Sequence, residues 1–115
     1  MKLNISACIV IAAIFAGSPA NAGFFTGEKL LPLCESGSAS KKRACEMYLV
    51  GIADAHDGLK RLGGLNREYF CLSKGVSLPQ IQKIFIDYAN ENPQYLKLPA
   101  SRSVIGAFAR AFPCK

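Results

Sequence analysis

The sequence predicts an all-α protein, a small bundle of four to five helices stapled by two disulfides. Three observations point there. Apolar residues recur at steps of three and four, and no stretch alternates polar and apolar as a half-buried strand does. Helix start and stop signals punctuate the chain at spacings that suit short helices. Finally, four cysteines remain once an N-terminal export segment is set aside, in a chain of 115 residues too small to lean on its core alone.

Residues 1–22 read as a signal peptide. Met1-Lys2 supplies the positive start, Ile5 to Ala16 the apolar run, and Gly17-Ser18-Pro19 the helix break. Ala20-Asn21-Ala22 has the small-x-small form that signal peptidase cuts. The apolar run of 12 residues falls short of the about 20 that cross a bilayer. Ile5-Ser6-Ala7-Cys8 has the form of a lipoprotein box, but it precedes the apolar run instead of following it, so lipidation is discounted. Cleavage after Ala22 leaves one domain, residues 23–115, with no membrane anchor. Lys2 departs with the signal, which lowers the net charge from +6 to +5.

The first helix starts at Phe24-Phe25-Thr26, with Thr26 as N-cap and Phe25 placed to staple onto Leu30. Pro32 interrupts it, so this helix is short, kinked or begins later. Glu35 to Ser40 is a loop of small and polar residues. The second helix is the clearest, from about Lys41 to Leu62, with Cys45, Tyr48, Leu49, Ile52, His56 and Leu59 on one face. Lys60-Arg61 suit its last turn and Gly63-Gly64 stop it. A loop then runs through Phe70-Cys71 to Gly75.

Ser77-Leu78-Pro79-Gln80 opens the third helix with a capping-box pattern and an early proline. Its inward stripe is Ile81, Ile84, Phe85 and Tyr88, and Asn92-Pro93 ends it. The fourth helix spans about Pro99 to Phe112, with Val104, Ile105, Phe108 and Phe112 inward. No internal repeat or linker divides the chain.

Cys34, Cys45, Cys71 and Cys114 form an even set in a short exported chain, which reads as a disulfide framework. A zinc site would show a closer cysteine pair than any present, so no metal is expected. Of the three connectivities, helix placement favours Cys34–Cys45 and Cys71–Cys114, which tie each helical hairpin at its open ends. Loop-closure entropy assigns about 3 kcal/mol to the short ring and about 4 to the long one.

Catalytic chemistry is harder to find. The thiols are committed, and His56 is the single histidine. Asp54 and Asp57 flank it at spacings of two and one, which do not face each other on a helix. His56 reads as a helix residue packed at a core edge. No strand feeds a glycine-rich phosphate loop, no cofactor is implied, and the chain is expected not to be an enzyme.

Two features break a local rule. Lys41-Lys42-Arg43 puts three cations at the start of the second helix, where the dipole favours anions by about 0.3–1 kcal/mol each. They are the candidate contact for an acidic partner, against the plainer reading of a solvated cluster. Gly51 and Gly106 lie inside helices, each costing about 1 kcal/mol relative to alanine. Close helix packing is the usual reason; self-association is the other. The positive charge does not imply nucleic acid, because the basic residues are scattered and the compartment is wrong. Peptidoglycan and anionic headgroups are the polyanions such a chain meets.

An ordered set of motifs carries a resemblance. It comprises Phe25-Thr26-Gly27-Glu28-Lys29-Leu30-Leu31 with Cys34, and Cys45-x-x-Tyr48-x-x-Gly51-x-x-Asp54. Phe70-Cys71 with Gly75-Val76-Ser77, Asn92-Pro93, and Ala111-Phe112-Pro113-Cys114 complete it. Together these resemble the Rap/Tai family of type VI secretion immunity proteins, with Pro32 and Leu72-Ser73 as departures. The resemblance implies a periplasmic helical protein that binds a cell-wall amidase toxin and occludes its cleft, and that can be a homodimer. A small envelope-maintenance or stress protein, chaperone-like and without a toxin partner, is the alternative.

Overall fold

The computed structural model of the protein describes residues 25–115. The expected signal peptide, its cleavage site, Cys8 and Phe24 lie outside the described residues. Within them the chain forms α1 (Gly27–Glu35), α2 (Ala39–Arg61), α3 (Leu78–Glu91), a 3-10 turn (Pro93–Tyr95) and α4 (Ala100–Ala111). The helices pair in sequence order, α1 with α2 and α3 with α4, and the two hairpins close on a shared core. That core holds Leu30, Leu31, Leu49, Phe70, Ile81, Phe85, Val104 and Phe108.

Helix α1 keeps Pro32 within it, and it is short, at nine residues. Thr26 occupies the N-cap position in extended backbone, but its side chain caps nothing. The exposed N–H groups of the first turn find partners elsewhere. Gly27 donates to the Leu98 carbonyl (3.2 Å) and Glu28 to the Leu96 carbonyl (2.9 Å), while Ala100 donates to Phe25 (2.6 Å). These bonds form an isolated antiparallel bridge between Thr26 and Pro99. Gly27 is the residue that lets the two backbones meet, since a Cβ there would lie 3.0 Å from the Leu96 Cα. Phe25 packs on the core, its ring 5.8 Å from that of Tyr48.

Helix α2 begins two residues before the expected Lys41, behind Ser38 as N-cap. Cys45 and Leu49 are buried, whereas Leu59, expected on the inward stripe, is largely exposed. The reason is length. At 1.5 Å per residue this helix runs about 34 Å, and its last turns outrun the bundle. It ends as the sequence predicts: Gly63 takes a positive φ of 72°, and Gly64 and Gly63 donate to the carbonyls of Leu59 (2.8 Å) and Lys60 (3.1 Å).

In α3 the expected capping box is present, with Ser77 N–H donating to Gln80 Oε1 (2.8 Å) and Gln80 N–H to Ser77 Oγ (3.3 Å). Ile81, Phe85 and Ala89 are buried, with Ile84 and Tyr88 half-buried beside them. In α4, Val104 and Phe108 are buried and Ile105 and Phe112 half-buried. Gly106 sits under Tyr88, whose hydroxyl an added Cβ would overlap, so close α3–α4 packing explains it. Gly51 has no neighbour within 4 Å, so packing among the described residues does not explain it.

Both disulfides have the expected pairing. Cys34–Cys45 joins α1 to α2 and Cys71–Cys114 joins the α2–α3 loop to the chain end. The first is buried and the second half-exposed. Among the described residues no helix is long and apolar enough to cross a membrane.

Candidate partner-binding surfaces

The basic cluster singled out from the sequence occupies the first turns of α2. Lys41, Lys42 and Arg43 are all exposed there, and no acidic residue shares the first turn with them. Arg43 reaches Glu46 at 3.7 Å, a loose pair. Lys41 and Lys42 pair with nothing among the described residues. Lys42 also lines a shallow groove between α2 and α3 with Glu46, Pro79, Gln82, Lys83 and Ile86. Lys83 in turn is held by Asp87 at 2.6 Å. Three cations therefore stand against the helix dipole with a single weak compensation.

The opposite end of α2 carries a second surface, built around His56. The imidazole is half-buried and stacks on Phe70 with ring centroids 4.1 Å apart. Its Nε2 accepts the Tyr69 backbone N–H at 3.1 Å. Sequence reasoning places His56 at a core edge, and so it is. The Tyr69 contact anchors the α2–α3 loop to α2. The flanking aspartates are both exposed, and Asp57 accepts from Arg61 Nε at 2.7 Å. That hydrogen bond holds the Asp57 carboxyl below the usual carboxylate range and raises Arg61 in turn.

Four further ties fix the same loop to the bundle. Lys60 forms an ion pair with Glu68. Phe70 is buried, edge-on to Phe108 at 5.2 Å. Cys71 N–H donates to the Phe112 carbonyl at 2.8 Å, and its sulfur is bonded to Cys114. Between α2 and the loop lies a cleft of about 340 Å³ lined by His56, Asp57, Lys60, Glu68, Phe70 and Leu72, among others. Glu68, Cys71 and Cys114 cluster closely, but the two sulfurs are joined to each other and offer no thiolate to a metal.

Near this cleft, whose lining is about half charged, several large apolar side chains are exposed. Leu62 is 85% exposed, Leu59 47%, Tyr69 45% and Leu72 40%. The guanidinium of Arg67 lies over the Tyr69 ring, 5.1 Å from its centre. None of these residues stands out as a binding residue from the sequence alone. The readable signal was Leu62 directly before a helix-stopping glycine pair, a position with no core to face.

Compared with known proteins, residues 26–114 match the family model of the Rap1a immunity proteins. No curated protein matches the chain, and no solved structure does.

Proposed function

The chain belongs to the Rap1a immunity protein family, and from that premise we propose that it is an exported, periplasmic inhibitor of a type VI secreted peptidoglycan amidase. It protects the producing cell and its kin by binding the toxin and filling its cleft, so that no substrate carbonyl reaches the nucleophile. The observation that carries this reading is the family match over residues 26–114, nearly all of the chain beyond the signal-like segment. Rigid, disulfide-tied helices and His56 engaged in a structural hydrogen bond support binding over catalysis.

The division of charge supports a mechanism in two steps. Lys41, Lys42 and Arg43 steer an acidic partner over distances near the Debye length, about 8–10 Å at physiological salt. Short-range contacts then hold it. Self-association fits the middle of α2, where Ala44, Met47, Gly51 and Ala55 are exposed on one face with room for a second helix. The signal-like segment 1–22 delivers the chain to the compartment in which these disulfides form and in which peptidoglycan is cut.

The test is co-expression of the chain, with its signal segment, and the amidase encoded beside it, both directed to the periplasm. Survival of cells that lyse with the amidase alone is the expected result. Lysis undiminished by the chain, with the oxidised protein present at or above the amidase level, overturns the proposal.

A further inference from the structure

We infer that the last two turns of α2 and the loop over Leu62–Leu72 form the face that holds the toxin, with Leu62, Tyr69 and Leu72 as its apolar anchors. The inference rests on the immunity reading and adds to it the site of contact. Single exposed leucines are ordinary on a protein surface. Here four of the six large exposed apolar side chains among the described residues lie within residues 59–72, and one of them, Leu72, lines the cleft beneath the loop. Anchor residues carry most of the energy of an interface when they are apolar, central and held in place before binding.

The loop meets that last condition. It contains no helix or strand between Gly63 and Ser77, yet it is fixed at both ends and in the middle. The glycine stop holds one end and the capping box the other. The His56 bond to Tyr69, the buried Phe70 and the Cys71–Cys114 bridge hold the centre. A loop serving only to connect α2 to α3 needs none of the three central ties.

Charge selects the occupant. Arg67 and Lys74 sit on this loop without a carboxylate partner among the described residues, whereas Lys60 and Arg61 are paired with Glu68 and Asp57. In a two-fold contact between copies the patch would meet itself, setting Arg67 and Lys74 against like charges. A partner with an apolar slot and an acidic rim suits them instead. On the immunity reading that partner is the toxin, and the face around Gly51, which carries Asp54, is left for a second copy.

The experiment measures binding of the full mature chain, oxidised, to the purified amidase encoded beside its gene. Leu62→Asp, Tyr69→Ala and Leu72→Asp are compared with Leu98→Asp. Leu98 is exposed too, but it precedes α4, while the loop is tied to the residue that follows it. We expect each loop variant to weaken Kd by about 30-fold or more, the effect of a central anchor, with the melting temperature unchanged and Leu98→Asp without effect. A photo-crosslinking residue at position 62 of the otherwise native chain is expected to bond covalently to the amidase, which covers any variant that fails to fold. Wild-type binding with unaltered loop variants and no crosslink overturns the inference and leaves the immunity reading standing. No binding or protection by the wild type removes the immunity reading and this one with it. Loop variants that bind the amidase normally but lose binding to anionic phospholipid vesicles would also overturn it, in favour of a lipid surface.

Discussion

Replacing Gly27 by alanine isolates the contact on which the meeting of α1 and α4 depends. The added Cβ would lie 3.0 Å from the Leu96 Cα and 3.2 Å from its carbonyl oxygen. Both are backbone atoms, so no side chain can rotate away, and the strand-like contact has to open. Three hydrogen bonds lie across that contact, from Gly27 to Leu98, Glu28 to Leu96 and Ala100 to Phe25. Weakening two of them costs about 0.5–1.5 kcal/mol apiece. Alanine returns at most about 1 kcal/mol through its better helix propensity, and less at a first-turn position. The balance is a loss of about 1–2 kcal/mol.

For a domain of this size each kcal/mol moves the melting temperature by about 4–8 °C. Gly27→Ala is therefore expected to melt about 5–15 °C below wild type, read by circular dichroism on oxidised protein. Gly37→Ala serves as the control, since it has negative φ and nothing within 4 Å. There alanine only restricts the unfolded chain, and stability rises by about 0.4–1 kcal/mol. A Gly27→Ala protein as stable as wild type, or one that gains as Gly37→Ala does, would refute the close-approach argument.

Three other outcomes follow from the same structure. Ser103 is fully buried with no hydrogen-bond partner for its Oγ among the described residues, so Ser103→Ala is expected to stabilise the fold by about 1 kcal/mol in chemical denaturation. Mild thiol reductant should open half-exposed Cys71–Cys114 before buried Cys34–Cys45, as mapped by alkylation and mass spectrometry, and should loosen the 62–77 loop while the helical signal persists. Equal reduction of both bridges would contradict that order. Reversing Lys41, Lys42 and Arg43 to glutamate is expected to lower the association rate with the toxin about tenfold at low salt and to flatten its salt dependence, leaving dissociation nearly unchanged. A rate independent of these charges returns them to solvated surface.

The fold was legible where local chemistry decides. The apolar period of α2, the Gly63-Gly64 stop, the Ser77–Gln80 box and the cysteine positions each act within a few residues, and each appears as read. What was not legible depends on neighbours distant in sequence. Thr26 is a good N-cap by type, but the carbonyls of Leu96 and Leu98 satisfy the N–H groups it would have served. Gly51 and Gly106 look alike in sequence. Only the position of Tyr88 separates a tight crossing from an open face. Leu59 continues the helical period faithfully, yet period says nothing about where the bundle beneath it ends. The surface at residues 59–72 was missed for that reason: its meaning lies in what fails to cover it.

On the proposed reading, the two ends of α2 divide the work of recognition. Long-range attraction requires charge but not order, and Lys41 to Arg43 are exposed and loosely paired, as steering residues are. Tight holding requires order more than charge, because immobilising each flexible side chain on binding costs about 0.5–1.5 kcal/mol. At the other end the ordering is done during folding: His56, Phe70 and the Cys71–Cys114 bridge fix the loop before any partner arrives. The half-exposed bridge therefore has a role beyond stability. Without Cys71–Cys114 the core around Phe85 and Phe108 still has its buried Cys34–Cys45 tie, but the loop keeps only its weaker anchors. Its loss should cost the protein affinity as well as the about 4 kcal/mol of stability that the long ring supplies.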